Sequence, residues 1–265
     1  MTTGTIEFDQ NAAHALEKAY LTRDVIAQRG VVLEALDPRP GEAVLDIGQG
    51  PGLLLEEIAR RVGAQGRAVG VDLSESMSAH ARRRCADLPW VELDLADAAS
   101  LPYPAESFDA IVSTQVYEYV EDLSGAFAKL FEITRPGGRV AILDTDYDSF
   151  VLFSEDEPRH ARVMQAWDDH FVHRGLPRVL GPLLRQAGFD VRSVQAVPIV
   201  DTAWTEDEFG YHLVPLIAGF SGRAGGEARE DAQAWLEEQR RLGAEGRFFF
   251  SLNRYLVVAD KPRAA

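Results

Sequence analysis

The sequence is poor in the features that mark secreted and membrane proteins. It has a single cysteine, Cys85, which excludes an intrachain disulfide and suits a reducing compartment. It has no apolar run long enough to cross a bilayer, and residues 1–20 lack the basic start and apolar core of a signal peptide. These absences predict a soluble, cytoplasmic protein with no membrane partner.

Basic residues are also scarce relative to acidic ones. The chain contains 27 Lys and Arg against 42 Asp and Glu, giving a formal net charge of -15. Such a surface repels phosphate backbones, so no nucleic-acid partner is expected. With 265 residues, 46% of them hydrophobic, the chain is long enough to bury one substantial core. We therefore predict one domain over residues 1–265, present as a monomer or homodimer.

Apolar runs of strand length alternate with helix-like segments through the first half of the chain. Strands are predicted at 43–47, 68–72, 90–95, 108–113 and 139–143, with helices at 53–62, 74–86 and 123–134 between them. This alternation predicts an α/β fold whose parallel sheet has helices on both faces. Beyond residue 144 the pattern predicts helices at 158–175, 177–187, 205–220 and 227–242 and strands at 190–200 and 248–259.

A glycine-rich turn follows the first strand, in the run VLDIGQGPG at residues 44–52. Glycines there let the backbone approach a ligand, and the next helix presents its positive N-terminus. The spacing is G-x-G-x-G, whereas the dinucleotide fingerprint is G-x-G-x-x-G. Asp46 precedes the first glycine, where a carboxylate would repel a pyrophosphate but attract an ammonium group. The methionine end of S-adenosylmethionine (SAM) carries such an ammonium.

Two more acidic residues follow the next two strands. Asp72 closes the second strand and can accept hydrogen bonds from ribose hydroxyls. Asp97 follows the third strand, where it can accept from an adenine amino group while the N–H of Ala98 serves a ring nitrogen. Leu73 and Met77 can flank the adenine, although Met77 fits a core position equally well.

Four segments together resemble a known family. They are VLDIGQGPG, VGVDLSESM, DLADAASLPYPAESFDAIVS and ITRPGGRVAIL, and they span about residues 43–143. They are similar to the class I SAM-dependent methyltransferases, in the small-molecule branch that contains ubiquinone/menaquinone-type and natural-product enzymes. The resemblance implies a Rossmann-like, seven-stranded, mostly parallel sheet with an antiparallel last strand. It also implies SAM as cofactor, S-adenosylhomocysteine (SAH) as product and a small-molecule substrate.

The resemblance also assigns roles to individual positions. The methionine pocket is expected to be shaped by Asp46, Gly48, Gly50 and Gly52. Gln49 departs from the Cys or Ser common in the family, but its backbone can still serve. Thr114 and Gln115 are expected beside the sulfonium. An N-terminal Tyr often covers the methionine carboxylate in this family, which makes Tyr20 a further candidate.

Methyl transfer from a sulfonium is an in-line displacement that depends on alignment and on exclusion of water. A general base can help if the acceptor is a hydroxyl or an amine. The candidates near the carboxyl ends of the strands are Tyr117, Tyr119, Asp144, Asp146 and His173. The Asp144–Asp148 cluster has three interpretations: the start of a solvated loop, a substrate contact or a Mg²⁺ site. We predict no metal, because strand four ends without a carboxylate partner.

The domain is predicted to have three parts. Residues 1–40 form an N-terminal helical cap, 41–145 the SAM-binding core, and 146–265 the substrate-side helices with the last two strands. The helices between strands six and seven are expected to complete the cap. The apolar stretch at 205–220 is either a helix packed on the sheet or a lid over an apolar pocket.

Three other functions remain open at this point. An NAD(P)-dependent oxidoreductase would share the strand-end acid but not the glycine spacing. A non-catalytic or repurposed SAM-binding protein would share every motif. An RNA or protein methyltransferase is disfavoured by the net charge and by Thr114–Tyr117, which stand where enzymes acting on base amino groups carry an N/D-P-P-Y motif.

Overall fold

The structure, a computed structural model that describes residues 17–263, alternates helices with strands. Residues 17–20 are helical and lead into the first long helix. The helices are α1 (Arg23–Leu36), α2 (Leu53–Val62), α3 (Glu75–Arg84), α4 (Leu123–Ile133), α5 (Glu157–Asp168), α6 (Pro177–Ala187), α7 (Phe209–Ser221) and α8 (Gly226–Ala244). The strands are β1 (Ala43–Ile47), β2 (Arg67–Asp72), β3 (Val91–Leu95), β4 (Phe108–Thr114), β5 (Thr134–Leu152), β6 (Asp190–Asp201) and β7 (Phe250–Asp260).

The strands form one seven-stranded sheet in the order β3-β2-β1-β4-β5-β7-β6. The pairs among β1 to β5 are parallel, whereas β7 lies antiparallel between β5 and β6. The reversal of chain order at β1 places a crevice at the carboxyl ends of β1 and β4, where ligands bind in open α/β sheets. The predicted Rossmann-like fold with an antiparallel last strand is confirmed.

Helices cover both faces of the sheet because each central strand is apolar on both sides. Leu45 and Ile47 of β1 pack in one core cluster with residues of α4 and α6. Val44, one position away on the opposite face, packs in another cluster with residues of α1 and α2. The two-residue period of a strand therefore decides which side chains face α1 and α2.

A third core lies among the elements that follow the central sheet. Trp167 of α5, Val214 of α7 and Trp235 of α8 are buried in it together with Phe250 at the start of β7. Helix α7 therefore packs on its neighbours through its apolar side. Val25 of α1 belongs to the same cluster, so the N-terminal segment and the insertion between β6 and β7 share one interior.

Two sequence expectations are wrong in this half of the chain. Asp144 and Asp146 lie inside β5, which continues to Leu152, and both are buried. The interpretation of this cluster as a solvated loop start fails, because these residues pair with β7, a partner about 110 positions away in the chain. The helix expected at 158–175 ends at Asp168. Beyond it, the N–H of His173 donates to the backbone carbonyl of Glu118 instead of continuing the helix.

Membrane insertion of a helix finds no support in the described residues. Among the helices between residues 17 and 263, none combines the length and apolar character needed to span a bilayer.

Candidate cofactor site and acceptor side

A cavity opens at the carboxyl edge of the sheet, between α1, the glycine-rich turn and the end of β4. Seven of the residues expected at the cofactor line it: Tyr20, Asp46, Gly48, Gln49, Gly50, Thr114 and Gln115. The remaining lining residues are Val25, Gln28, Arg29, Val32, Pro51, Leu53 and Leu54. The sequence pattern thus located one wall of this cavity, and α1 supplies the other.

Asp46 is the buried charge of this cavity. It lies two residues after Val44 on the same face of β1, so its side chain points to the helices α1 and α2. Only 1% of it is exposed, and neither carboxylate oxygen has a hydrogen-bond partner in the part of the chain that the structure describes. Burial raises its pKa well above the usual value, and the nearby Asp72 adds to the shift. A buried carboxylate without a partner fits a cationic ligand, such as the ammonium group of SAM.

The three glycines of the turn have different surroundings. A Cβ on Gly48 would lie 2.2 Å from Cγ2 of Val116, and one on Gly52 would lie 2.9 Å from Cβ of Ala81. These two glycines therefore permit close packing of the chain. A Cβ on Gly50 would meet nothing within 4 Å, so this residue leaves room in the cavity. Gly48 and Gly50 have φ values of 69° and 52°, which glycine adopts without strain.

Substitutions at two of these glycines should separate stability from binding. Gly48→Ala is expected to destabilise the fold by about 2–5 kcal/mol, because a left-handed conformation and a steric clash add together. Gly50→Ala should cost only about 1–2 kcal/mol in stability but weaken SAH binding, since its methyl group enters the cavity. Urea unfolding and calorimetric titration measure the two effects. Gly41→Ala, with positive φ and open space, is the control, and equal behaviour of all three variants would contradict the assignment.

Asp72 ties the turn to the next helix. Its carboxylate accepts from the N–H of Gly50 at 3.0 Å and from the N–H of Ser74 at 2.8 Å. Burial raises its pKa, although these N–H groups oppose the shift. Gln49 reaches the same helix, since its Nε2 lies 3.3 Å from Oγ of Ser78. Asp72 therefore holds the glycine turn in place, and its oxygens retain lone pairs for a ribose hydroxyl.

The residues expected to hold the adenine follow β2 and β3. Asp97 is exposed, and its Oδ1 accepts from the N–H of Ala99 at 2.9 Å. The chain beside it is joined to β2, because the N–H of Ala96 donates to the carbonyl of Asp72 at 3.2 Å. Ala98 is buried, Leu73 is 65% exposed, and Met77 is buried within the α3 side of the core. None of these four residues expected at the adenine lines the cavity.

The sequence analysis predicted a helical cap at residues 1–40 but did not identify the residues of α1 that line the cavity. Val25, Gln28, Arg29 and Val32 all line the cavity, and their spacing is that of one face of a helix. Within the described part of the chain, Arg29 is the only cationic side chain in the lining. Its Nε donates to Glu57 at 2.7 Å, and its Nη1 donates to the carbonyl of Tyr20 at 3.1 Å. Arg29 fits a ligand carboxylate, and the helical spacing could have pointed to it.

Three of the expected catalytic residues are held in structural contacts. Tyr117 is fully buried in the core, where its ring packs 4.9 Å from that of Phe127. Asp146 accepts from the guanidinium of Arg178 at 2.9 Å. Nε2 of His173 lies 3.0 Å from the carbonyl oxygen of Val120. None of the three lines the cavity.

The other two candidates lie beside a buried acid that the sequence analysis did not identify. Asp144 is fully buried, and burial together with Glu118 raises its pKa well above the usual value. Glu118 is also fully buried, and burial raises its pKa to about 7 although Arg254 opposes the shift. Tyr119 is 41% exposed and stacks on Phe171 with ring centroids 5.9 Å apart.

Arg254 is the second residue that the sequence analysis did not identify. It is 1% exposed, and its Nη1 donates to Oε1 of Gln28 at 2.6 Å. Its guanidinium also lies over the ring of Phe209, 4.7 Å from the centroid. No local signal marks this arginine, because only the pairing of β7 with β5 brings it opposite Thr145.

Comparison with known proteins agrees with this geometry. Residues 45–142 match a family model described as a methyltransferase domain. The chain is 33% identical over 248 residues to an uncharacterised 37.1 kDa protein in transposon Tn4556 of Streptomyces fradiae, covering 92% of this chain and 70% of that protein. It is 35% identical over 113 residues to the nocamycin O-methyltransferase of Saccharothrix syringae, covering 42% of this chain and 40% of that enzyme.

Solved structures share the fold over most of the chain. A putative methyltransferase from Bacillus halodurans is 18% identical with a TM-score of 0.63, covering 89% of this chain and 99% of that one. The chain spans about half or less of the length of the named curated methyltransferases that it matches. The matching core, the strand order and the glycine-lined cavity lead to one conclusion. Residues 45–142 belong to the methyltransferase-domain family, and the chain is similar there to SAM-dependent methyltransferases that act on quinones and natural products.

Proposed function

We propose that the protein transfers the methyl group of SAM to an O, N or C atom of a small, partly apolar molecule and releases SAH. The observation that carries this proposal is the unpaired, buried carboxylate of Asp46 in a cavity bounded by the glycine turn. A pyrophosphate cofactor would meet repulsion there, whereas an ammonium group would find its counter-charge.

The residues around the cavity suggest how the chain would hold the cofactor. Asp46 would receive the ammonium group, and Arg29 with Tyr20 would receive the carboxylate. Thr114 and Gln115 would lie on the side from which the acceptor approaches. Asp72 would bind the ribose, while Asp97 and Ala98 would bind the adenine. When bound, SAM supplies an electrophilic methyl group, so these residues mainly need to orient it and exclude water.

The remaining sequence expectations are part of the same proposal. Residues 1–40 would cap the cavity, 41–145 would bind SAM, and 146–265 would surround the acceptor. The packing of Val25 against the α7 cluster supports a shared cap. We further propose a cytoplasmic monomer or homodimer that acts without nucleic acid, as a net charge of -15 favours.

Thermal shift with SAH and with NADH tests the cofactor assignment. SAH at one hundred times its Kd should stabilise the protein by about 2.7 kcal/mol and raise Tm by roughly 5–10 °C. NADH should leave Tm unchanged. A shift with NADH alone would favour an oxidoreductase. Incubation with radiolabelled SAM and a panel of phenols, amines and carbon acids then tests transfer, and SAH binding without transfer to any acceptor would favour a non-catalytic role.

A further inference from the structure

Next to the cavity lies a group of buried polar atoms without ordinary hydrogen bonds. Among residues 17–263, no hydrogen bond of ordinary geometry reaches the carboxyl oxygens of Glu118 or Asp144. The same holds for the hydroxyls of Tyr117 and Thr145 and for Nε of Arg254. All five residues are at most 1% exposed. Unsatisfied buried polar groups are costly, and a cluster of them beside a ligand cavity points to a role in the reaction.

The cluster adjoins the cavity on the side of β4 and β5. Asp144 follows Leu143, whose carbonyl accepts from the N–H of Gln115 at 2.8 Å, and Gln115 lines the cavity. Arg254 is joined to the cavity by its hydrogen bond to Gln28, another lining residue. Tyr20 also lines the cavity, and the charges of Arg254 and Glu118 both act on the pKa of its phenol.

The charges in this cluster do not balance if both acids ionise. One guanidinium, that of Arg254, accompanies two fully buried carboxyl groups. Two carboxylates in contact cannot both ionise readily in a low dielectric, so the pair retains a proton. The pKa shifts agree, because the pKa of Glu118 is about 7 and that of Asp144 is raised. The other titratable groups that face Glu118 are the phenols of Tyr20, Tyr119 and Tyr147.

We propose that Glu118 and Asp144 form a proton-accepting pair on the acceptor side and that the acceptor is an acidic hydroxyl, as on a phenol or an enol. This proposal rests on the proposed methyl transfer. The acceptor O–H bond breaks and its proton passes to the carboxylate of Glu118. The acceptor oxygen forms the new bond to the methyl carbon as the carbon–sulfur bond breaks, leaving its electrons on sulfur. The pair, now doubly protonated beside Arg254, returns one proton to solvent.

Three observations favour an acidic hydroxyl over other acceptors. A base that titrates near neutral pH can take the proton of a phenol, whose pKa is about 10, but is poorly matched to an aliphatic alcohol. With Arg254 present the pair carries no net negative charge to attract an ammonium group. Aromatic rings also stand beside it: Tyr147 and Phe171 lie 3.8 Å apart between centroids, and Tyr119 stacks on Phe171. Such rings suit a planar acceptor.

The test is Glu118→Gln, measured with a phenolic acceptor across pH. We expect kcat to fall about 10²-fold or more, with KM and SAH affinity changed less than about twofold. The wild-type rate should decline below about pH 7, and this limb should disappear in the variant. The variant's rate should instead rise as the phenol ionises by itself. Glu118→Asp should restore part of the rate.

Glu121→Gln is the matched control, because Glu121 is exposed and only three residues away. If Glu118→Gln keeps the wild-type pH limb and kcat, the pair is structural and the proposal fails. It fails equally if the wild-type protein methylates only amines or carbon acids, although the proposed function then stands. Absence of transfer to every acceptor would instead count against the proposed function. SAH-induced thermal shift shows that each variant is folded.

Discussion

Replacing Asp46 with asparagine should lower the affinity for SAM and SAH by roughly 10²- to 10³-fold. The amide keeps the shape of the side chain but removes the charge that would pair with the ligand ammonium. Breaking a buried ion pair by removing one partner costs about 3–5 kcal/mol, and each 1.4 kcal/mol is tenfold in affinity. Isothermal titration calorimetry with SAH measures the effect directly.

The same substitution should stabilise the ligand-free protein. Burial raises the pKa of Asp46, so the folded protein holds this proton more tightly than the unfolded chain does. The free energy of unfolding is therefore highest at low pH and falls as pH rises through the folded-state pKa of Asp46. Asparagine does not ionise, so its contribution does not change with pH. The free energy of unfolding of the variant, measured with urea, should therefore increase relative to that of the wild type between pH 5 and pH 8. Asp190→Asn, at the start of β6 on the opposite edge of the sheet, is the control. Unchanged SAH affinity in Asp46→Asn would remove the main support for the cofactor site.

Replacing Arg254 with methionine should destabilise the protein by about 3–5 kcal/mol at pH 8. The substitution fills similar space but leaves Glu118 and Asp144 without their cation. Arg254 holds the pKa of Glu118 down, so its loss raises that pKa further and makes ionisation more costly. The destabilisation should therefore grow as pH rises and shrink towards pH 5. Urea unfolding at several pH values measures it.

A double-mutant cycle separates this charge effect from packing. Glu118→Gln should recover part of the stability lost in Arg254→Met, giving a coupling energy of about 0.5–3 kcal/mol. Arg192→Met, at an exposed arginine of β6, should change stability little. Additive effects of the two substitutions at Glu118 and Arg254, or a pH-independent loss in Arg254→Met, would show that the three groups do not form one charge cluster.

The cofactor half of the site could be predicted because its signals are local. The strand at Ala43–Ile47 and the helix at Leu53–Val62 have the predicted bounds. An apolar run that ends at a glycine turn and is followed by a helix-period pattern needs no distant partner to be recognised. The direction of Asp46 follows from strand alternation once the faces are known.

The acceptor half could not be predicted in the same way. Glu118 follows β4 in a single 3₁₀ turn, Tyr117–Tyr119, and Arg254 lies in the middle of β7 more than 130 positions later. They meet because β7 enters the sheet between β5 and β6, and this pairing is set by tertiary packing rather than by a local pattern. The same pairing extends β5 through Asp144 and Asp146, which sequence reasoning left outside the strand.

The direction of β7 has a practical consequence for labelling and fusion. Its last paired residue, Asp260, lies opposite Arg139 and Asp190, which are the first residues of β5 and β6 to pair with β7. This end of β7 therefore lies at the edge of the sheet remote from the cavity. A fluorophore, affinity handle or additional domain joined after Arg263 would therefore depart from the remote edge. An attachment ahead of Glu17 would instead adjoin the helical turn that carries Tyr20. Immobilisation through the C-terminal side should leave ligand entry unhindered.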